Sequence, residues 1–324
     1  MLSRVADSLY WTTRYVERAE DTSRLLHVNF HGLLDADTGD HGDAWRDLLL
    51  AVGCDDLFRE HFDAYSAQAV TEFLHWHPAN ADSVAACIGR ARENARSVRE
   101  EISSEMWEHL NRLHLNLARQ RRAHVLAHPH DFLAGVIGGS QAFLGITNAT
   151  LPRGEPYEFL VLGTSIERAD ASARLISVKQ ASLLASPIES IAAARATQLL
   201  KSCGTLEAFQ KGTSEGFRPA RVIQYVLLDH SAPRAVLFCL NRCLGAIRAI
   251  TTDGLRPERA VGRIVAELSF AEIFDDDPVG TSALVTRVLH GINDAGLEIA
   301  GAYFTTRVII PGPYTQQQQQ QQQQ

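Results

Sequence analysis

Glutamate and arginine side chains that recur at a fixed spacing are the residues of this sequence best suited to chemistry. They occur in the stretch 15–26, which reads YVERAEDTSRLL, and again in 165–176, which reads SIERADASARLI. The second stretch begins 165 − 15 = 150 residues after the first. Paired carboxylates can act as general acid and base, and a guanidinium group can bind a carboxylate or phosphate through two hydrogen bonds. We call these stretches the first motif and the second motif, and they are the candidate functional site.

The two motifs supply most of the candidate site residues. Glu17 and Glu167 are the candidate catalytic carboxylates. A second polar concentration at 93–101 adds an amide and a further guanidinium group. The candidate substrate-binding residues are Arg14, Arg18, Glu20, Arg24, Asn94, Arg96, Arg168, Asp170 and Arg174. A set that mixes both charges could bind a zwitterionic amino acid or the end of a peptide.

A simpler interpretation stays open for the same charges. In each motif an acidic residue precedes an arginine by four positions, as Glu20 precedes Arg24 and Asp170 precedes Arg174. This order favours a pair within one helix, and such a pair on a solvated surface contributes little to stability. The polar run at 93–101 could likewise be a solvated helix face. The functional alternative requires the two motif helices to meet, so that their charged groups line a shared polar cleft.

A narrow apolar seam accompanies each motif and predicts a helix packed along its length, because apolar or small residues recur every three or four positions. The seam of the first motif helix contains Leu2, Val5, Leu9, Thr12, Val16, Ala19, Ser23 and Leu26. The seam of the second contains Phe159, Leu162, Ile166, Ala169, Ala173 and Ile176. Small side chains such as Ala19 and Ala169 let another backbone come close. We therefore expect both alanines to be buried, and we expect the two helices to be antiparallel or crossing neighbours related by a local pseudo-twofold axis.

The rest of the chain also reads as helices, because alternating Val, Ile and Thr runs bounded by turns are missing. The first helix is expected at about 3–30, starting at the good N-cap Ser3. The longest periodic stretch runs over 80–117 and predicts one long helix. The nine glutamines at 316–324 are of low complexity and take no part in the argument.

Weaker sequence matches to the first half follow the second motif. Phe58 matches Phe209 at an offset of 209 − 58 = 151, and Arg96 matches Arg248 at an offset of 248 − 96 = 152. A slow drift of the offset is what small loop changes between equivalent helices would give. We predict an all-α protein of two tandem repeats of a helical bundle, related by internal duplication. The predicted repeats cover 1–150 and 151–310, and a glutamine-rich tail covers 311–324.

Composition narrows the class of protein. The chain has 324 residues, 45% of them hydrophobic, and a formal net charge of −7, which argues against a broad nucleic-acid surface. Its five cysteines are odd in number and form no CxxC pair, so we expect reduced thiols and a cytoplasmic location. Charged residues near the N-terminus oppose a secretory signal, and we expect no membrane-spanning stretch.

Motifs for cofactors and metals are weak. The glycine cluster at 135–140 lacks the GK[ST] of a phosphate-binding loop. A di-iron bundle needs Glu-x-x-His on two helices, and Glu72 to His75 is matched 152 residues later by Gln224 and Leu227. A polar helix end explains His109, His114, His124, His128 and His130 equally well. We therefore expect neither a metal nor a cofactor.

Several of these stretches together resemble the bacterial alpha-E family, a former domain of unknown function. The resemblance covers nearly the whole chain and is carried by 1–11, 14–20, 93–96, Trp107, Asn111, 159–163, 167–170, 228–234 and 302–304. Thr164 stands where an arginine is common in that family, and Ala235 where a serine is more usual. These departures argue against a strict symmetry of the two candidate sites.

The resemblance implies a biochemical context. Alpha-E proteins look like partners of circularly permuted ATP-grasp amide ligases, often accompanied by transglutaminase-like and proteasome-like peptidases. The expected function is a subunit of an ATP-dependent system that forms amide bonds in peptide synthesis or modification. The expected partners are the ligase and a peptide or amino-acid substrate, without nucleic acid or membrane. The alternatives are a freestanding helical enzyme that uses Glu17 and Glu167 for acid/base chemistry, and a non-catalytic scaffold.

Overall fold

The computed structural model describes residues 1–34, 42–184, 189–212, 217–250 and 255–304. Within these ranges the chain forms fifteen α-helices and one 3₁₀ turn at 99–101, and no strand. The helices are α1 (Ser3–Leu34), α2 (Gly42–Val52), α3 (Asp55–Arg59), α4 (Ala67–Trp76), α5 (Val84–Ser97), α6 (Ser104–Ala118), α7 (Arg122–Ala127), α8 (Pro129–Thr150), α9 (Glu155–Leu184), α10 (Glu189–Ser202), α11 (Leu206–Gly212), α12 (Pro219–Leu228), α13 (Val236–Ala249), α14 (Leu255–Ser269) and α15 (Pro278–Tyr303). The all-α prediction is confirmed, and the predicted glutamine tail lies outside the described residues.

The single helix predicted over 80–117 is wrong in detail. Helix α5 ends at Ser97 and α6 begins at Ser104, and the 3₁₀ turn lies between them. The hydroxyl of Ser103 accepts a hydrogen bond from the backbone N–H of Met106 and so caps a new helix start. An apolar period continues across such a break whenever both helices face the same core, which is why periodicity alone missed it.

The two motif helices, α1 and α9, lie at the centre of the molecule. α1 packs against α5, α8 and α9, and α9 packs against α13 and α15 as well. One hydrophobic cluster contains side chains from both halves of the chain, such as Leu9 and Phe143 with Leu162 and Ile247. A smaller cluster, which includes Phe58 and Leu133, draws only on the first half.

α1 and α9 run in the same direction, since their contacts advance together along both chains. The N-terminal ammonium pairs with Glu155 at 3.0 Å, and the Thr13 hydroxyl donates to the backbone oxygen of Leu160 at 2.9 Å. Further along, Arg18 reaches Glu167. The helices are neighbours, as expected, but the antiparallel alternative is wrong. Ala19 and Ala169 are fully buried, which confirms the prediction drawn from their size.

A glycine permits this close approach. A Cβ atom on Gly163 would lie 2.2 Å from the backbone oxygen of Tyr10 and 2.5 Å from the Thr13 hydroxyl. No side chain fits at those separations, so α9 can lie this close to α1 only with glycine here. The backbone contact fixes how far the charged groups of the two motifs must reach.

One described helix is long and apolar enough to cross a membrane by length and composition, and the sequence analysis overlooked it. This helix is α8, whose 18-residue window has a mean hydropathy of 1.2. In the structure α8 packs against α1 and α6 and buries Leu133, Val136 and Phe143. A core helix passes the same test, and α8 contributes to the core here.

Candidate functional site

The Glu-Arg pairs of the two motifs exchange partners between α1 and α9. Arg168 donates two hydrogen bonds to Glu17, at 2.9 and 2.7 Å. Arg18 donates two to Glu167, at 2.7 and 3.2 Å. Each motif thus supplies the carboxylate for the other motif's arginine. The surface salt bridge considered for the motifs does not describe these pairs, because Glu17 is fully buried and Glu167 nearly so.

We call the two exchanged pairs, Glu17 with Arg168 and Glu167 with Arg18, the junction. Arg14 adds a third guanidinium group to it. It donates to Glu167 at 2.6 Å and stacks over the ring of Trp11 at 4.7 Å from the ring centre. Burial alone would raise the pKa of Glu167, but the charges of Arg14 and Arg18 outweigh it and hold that pKa below its usual value. Glu167 is therefore a fixed anion at neutral pH.

The Glu17 end of the junction contains a second arginine from outside the motifs. Arg234 precedes α13 and is almost fully buried. It lies 3.3 Å from Glu17 and 3.0 Å from Glu20, and it also donates to Asp21. Its backbone oxygen accepts a hydrogen bond from Ser172 at 2.7 Å. Arg234 thereby joins three carboxylates of α1 to the second half of the chain.

Two neighbouring carboxyl groups at this end titrate differently. Burial alone would raise the pKa of Glu20, but Arg234 and Arg24 outweigh it and the pKa is lowered. Burial raises the pKa of Asp21 to about 7, helped by the charges of Glu17 and Glu20 and opposed by Arg234. One carboxyl group of the cluster therefore titrates near neutral pH while its neighbour stays ionised.

The pairs predicted within each helix also form. Glu20 accepts from Arg24, and Asp170 accepts from Arg174 at 2.8 Å. Glu20 is buried, and the Arg174 side chain is about one-third exposed at 37%. These pairs flank the exchange between helices and extend the ionic cluster toward the C-terminal ends of both motifs.

A cavity of about 230 Å³ opens beside Glu167 and is lined by charged residues of both motifs. The charged lining residues are Arg18, Asp21, Asp82, Glu167, Asp170 and Arg174. The Oδ1 atom of Asp170 is buried and finds no hydrogen-bond partner among the described residues. Asp82 is half-exposed and accepts from Arg18 at 2.9 Å. This is the shared polar cleft that the functional alternative required.

Two glycines lie in tight turns that face motif arginines. Gly53, between α2 and α3, has a φ of +82°, and its Cβ position lies 3.5 Å from Arg174. Gly204, between α10 and α11, has a φ of +61°, and its Cβ position lies 3.3 Å from Arg24. Left-handed backbone favours glycine at both turns. Each arginine thus meets a turn of the opposite half of the chain.

The structure does not place every candidate residue at the junction. Arg96 is exposed and pairs with Glu93 at 2.8 Å on the outer face of α5. Asn94 lines a separate open groove with Trp11 and Tyr15. The expected binding cluster at 93–101 is therefore not part of the motif cavity.

Three charged residues of the junction were missed by sequence reasoning. Arg234 and Asp82 lie in loops, and Asp21 has no acidic counterpart because Ala171 stands 150 residues later. One signal was available, since Arg234 belongs to the stretch 228–234 that carried the family resemblance. Charge alone did not show that this loop reaches α1.

The fold and the junction define a class of all-helical protein built around a reciprocal exchange of Glu-Arg pairs. Residues 1–304 match the Alpha-E family, described as "a predicted alpha-helical domain with a conserved ER motif". The chain belongs to this family. The dipeptides Glu17-Arg18 and Glu167-Arg168 both fit the description of that motif.

Mycobacterial proteins are similar to this chain over most of its length. An uncharacterized protein of Mycobacterium bovis and two of Mycobacterium tuberculosis are each 24% identical to this chain over an alignment 334 positions long, which covers 95% of this chain. The match covers only 37% of each relative, so this chain spans little more than a third of their length. No solved structure matches the chain.

Proposed function

We propose that this chain is a subunit of an ATP-dependent amide-bond-forming system and acts with a circularly permuted ATP-grasp ligase. Its role is to bind an amino acid or the end of a peptide while the ligase binds and consumes ATP. The observation that carries the proposal is the cavity beside Glu167, which charged residues of both motifs line. A purely structural exchange of ion pairs would not require such a cavity.

The charges of the cavity suit a zwitterion. Arg174 is partly exposed and offers a guanidinium group to a substrate carboxylate. Asp170 has a buried oxygen with no described partner, and Asp82 is half-exposed, so these two suit a substrate ammonium group. Arg18 and Glu167 neutralise each other behind them. Amino acids and peptide ends, the reactants of amide-bond formation, carry these same charged groups.

The length of the relatives supports a partner. In the mycobacterial proteins the matched region is 37% of the polypeptide, so further segments accompany it there. A module that recurs inside longer chains is suited to act together with other domains. Here we propose that the ATP-grasp ligase supplies the companion activity as a separate protein.

The freestanding-enzyme alternative is weakened for the residues first considered. A general acid needs a raised pKa, and Glu167 has a lowered one because two arginines hold it ionised. Glu17 is fully buried against Arg168 and Arg234. If acid/base chemistry occurs in the cavity, Asp21 is better suited, since it lines the cavity and its pKa is raised to about 7.

We infer, in addition, that the two halves of the chain are tandem repeats related by internal duplication. The reciprocal contacts support this, because Glu17 pairs with Arg168 and, in the same way, Glu167 pairs with Arg18. The turn glycines follow the same rule, since Gly53 faces Arg174 and Gly204 faces Arg24. An exchange of equivalent contacts is what a pseudo-twofold axis between two copies produces.

The proposal is tested by purification and reconstitution. The chain is tagged in its native host, and co-purifying proteins are identified by mass spectrometry. ADP formation by the co-purified ligase is then measured with a mixture of the twenty amino acids, with and without this chain. We expect an ATP-grasp protein to co-purify and ADP formation to depend on the chain.

A matched pair of variants connects that activity to the cavity. Arg174→Gln should lower the chain-dependent rate at least about tenfold with little loss of stability, because its side chain lines the cavity and is partly exposed. Arg287→Gln is the control, since Arg287 is exposed and pairs with Glu267 at 2.6 Å on the surface. Equal rates for both variants would contradict the proposed role of the cavity.

A further inference from the structure

Three histidines meet just beyond the end of the first motif, and none of them lines the motif cavity. His27 and His31 lie on α1, and His130 lies at the start of α8. The ring centres are 4.5 Å apart for His27 and His31, 4.5 Å for His31 and His130, and 5.4 Å for His27 and His130. One ring nitrogen from each histidine lies within 4.8 Å of the other two.

The fold fixes all three side chains on one side of the first half. Residues four apart share one face of an α-helix, which places His27 above His31. Pro129 starts α8, and the adjacent His130 packs edge-on against Phe30 at 5.9 Å. Phe30 in turn packs against the buried Trp45 at 5.1 Å. The cluster therefore rests on a packed aromatic base.

The hydrogen bonds leave nitrogen atoms available. His31 Nδ1 lies 2.9 Å from the backbone oxygen of His27, so in the tautomer that donates this bond its Nε2 carries a free lone pair. Histidines that bind metals are held by this kind of second hydrogen bond. His130 Nδ1 is buried and finds no hydrogen-bond partner among the described residues.

The helix dipoles do not decide the charge of the cluster. His27 and His31 lie near the C-terminal end of α1, which favours a cation, whereas His130 lies in the first turn of α8, which disfavours one. An ion would therefore be held by the ring nitrogens, and neutral imidazole is the form that binds metal ions.

We propose that His27, His31 and His130 bind one divalent transition-metal ion of the zinc class. Three imidazole ligands suit Zn²⁺ in a tetrahedral site, with water in the fourth position. Bonds of about 2.0–2.1 Å place the nitrogens about 3.3 Å apart, so nitrogens that now lie within 4.8 Å of one another need to approach by at most about 1.5 Å. The bound ion would connect the end of α1 to the start of α8.

The cluster has no counterpart in the second half. The positions 150 residues after His27 and His31 hold Ser177 and Ala181. The helical fold therefore forms there without histidines at these positions. This makes the three histidines an addition to the first half rather than a requirement of its packing.

The test uses the full chain without a histidine tag, after removal of metals with EDTA. Zn²⁺ is titrated by calorimetry, and Co²⁺ is followed by its visible absorption. We expect one ion per chain, a Kd of about 1 µM or tighter, and a melting temperature that rises by a few degrees. His31→Gln and His130→Gln should each weaken Zn²⁺ binding at least about tenfold.

His290→Gln is the control, since His290 is an exposed histidine of α15 and should not affect binding. His31 is itself exposed, so its variant should fold normally, and circular dichroism checks this. The proposal is overturned if the wild-type chain binds no Zn²⁺ at about 100 µM. It is equally overturned if the His31→Gln protein binds as tightly as the wild type.

Discussion

Asp82 and Arg234 lie 234 − 82 = 152 residues apart, each one residue before a helix N-cap, and they carry opposite charges. Asp82 accepts from Arg18 at the Glu167 end of the junction. Arg234 donates to carboxylates at the Glu17 end. The long side chain of Arg234 fills the space at the Glu17 end. The short side chain of Asp82 helps to line the cavity at the Glu167 end. These two positions, which hold opposite charges, thus make the two ends of the junction unequal.

Replacing Arg234 by methionine should destabilise the protein strongly. The variant keeps much of the apolar stem but leaves the buried Glu17 and Glu20 without a shared partner. Breaking a buried ion cluster in this way costs about 3–5 kcal/mol, measured by urea unfolding. Asp82→Asn is the matched control and should cost less than about 1 kcal/mol, because Asp82 is half-exposed. Similar losses for the two variants would show that Arg234 does not hold the junction together.

Gly163→Ala tests the close contact between the motif helices. The new methyl group would meet the backbone oxygen of Tyr10 at 2.2 Å, so α9 must move away from α1. Such overpacking costs about 1–3 kcal/mol in the free energy of unfolding. Gly138→Ala is the control, since nothing lies within 4 Å of its Cβ position on α8, and it should stabilise by up to about 1 kcal/mol. If Gly163→Ala is also neutral or stabilising, the helices are not in the described contact.

His75→Leu should make the protein less sensitive to acid. Burial lowers the pKa of His75 from 6.5 to about 3, and neither ring nitrogen has a described hydrogen-bond partner. Below pH 6.5 the unfolded chain binds a proton that the folded protein does not, so stability falls as the pH drops toward 3. Between pH 7.5 and pH 5 this single group removes up to about 2 kcal/mol.

The difference in unfolding free energy between His75→Leu and wild type should therefore grow on acidification. Leucine already occupies the position 152 residues later, at Leu227, so the fold accepts it there. His290→Leu, at an exposed position, serves as the control. A difference that stays constant from pH 7.5 to pH 5 would mean that His75 is not buried in its neutral form.

Much of the helical organisation could be predicted from the sequence. Local spacing determines which residues share a helix face, so the seam residues Ala19 and Ala169 and the Glu20–Arg24 pair were predicted correctly. Such patterns act within one or two turns of the same helix. They do not report where a loop or a neighbouring helix lies.

The partners across the junction could not be predicted for that reason. Whether Glu17 pairs with Arg168 or with a residue of its own helix depends on the position of α9 relative to α1. Gly163 sets the distance between these two helices. Arg234 comes from a loop that lies 234 − 21 = 213 residues after its partner Asp21. His130 joins His27 only because α8 returns to the end of α1.

The exchange of Glu-Arg pairs between α1 and α9 is the central claim, and a double-mutant cycle on Glu17 and Arg168 tests it most directly. Urea unfolding is measured for the wild type, Glu17→Gln, Arg168→Gln and the double variant. Because the pair is bidentate and Glu17 is fully buried, each single variant should lose about 3–5 kcal/mol, and the coupling energy should exceed about 1.5 kcal/mol. Losses that simply add, to within about 0.3–0.5 kcal/mol, would contradict the exchange.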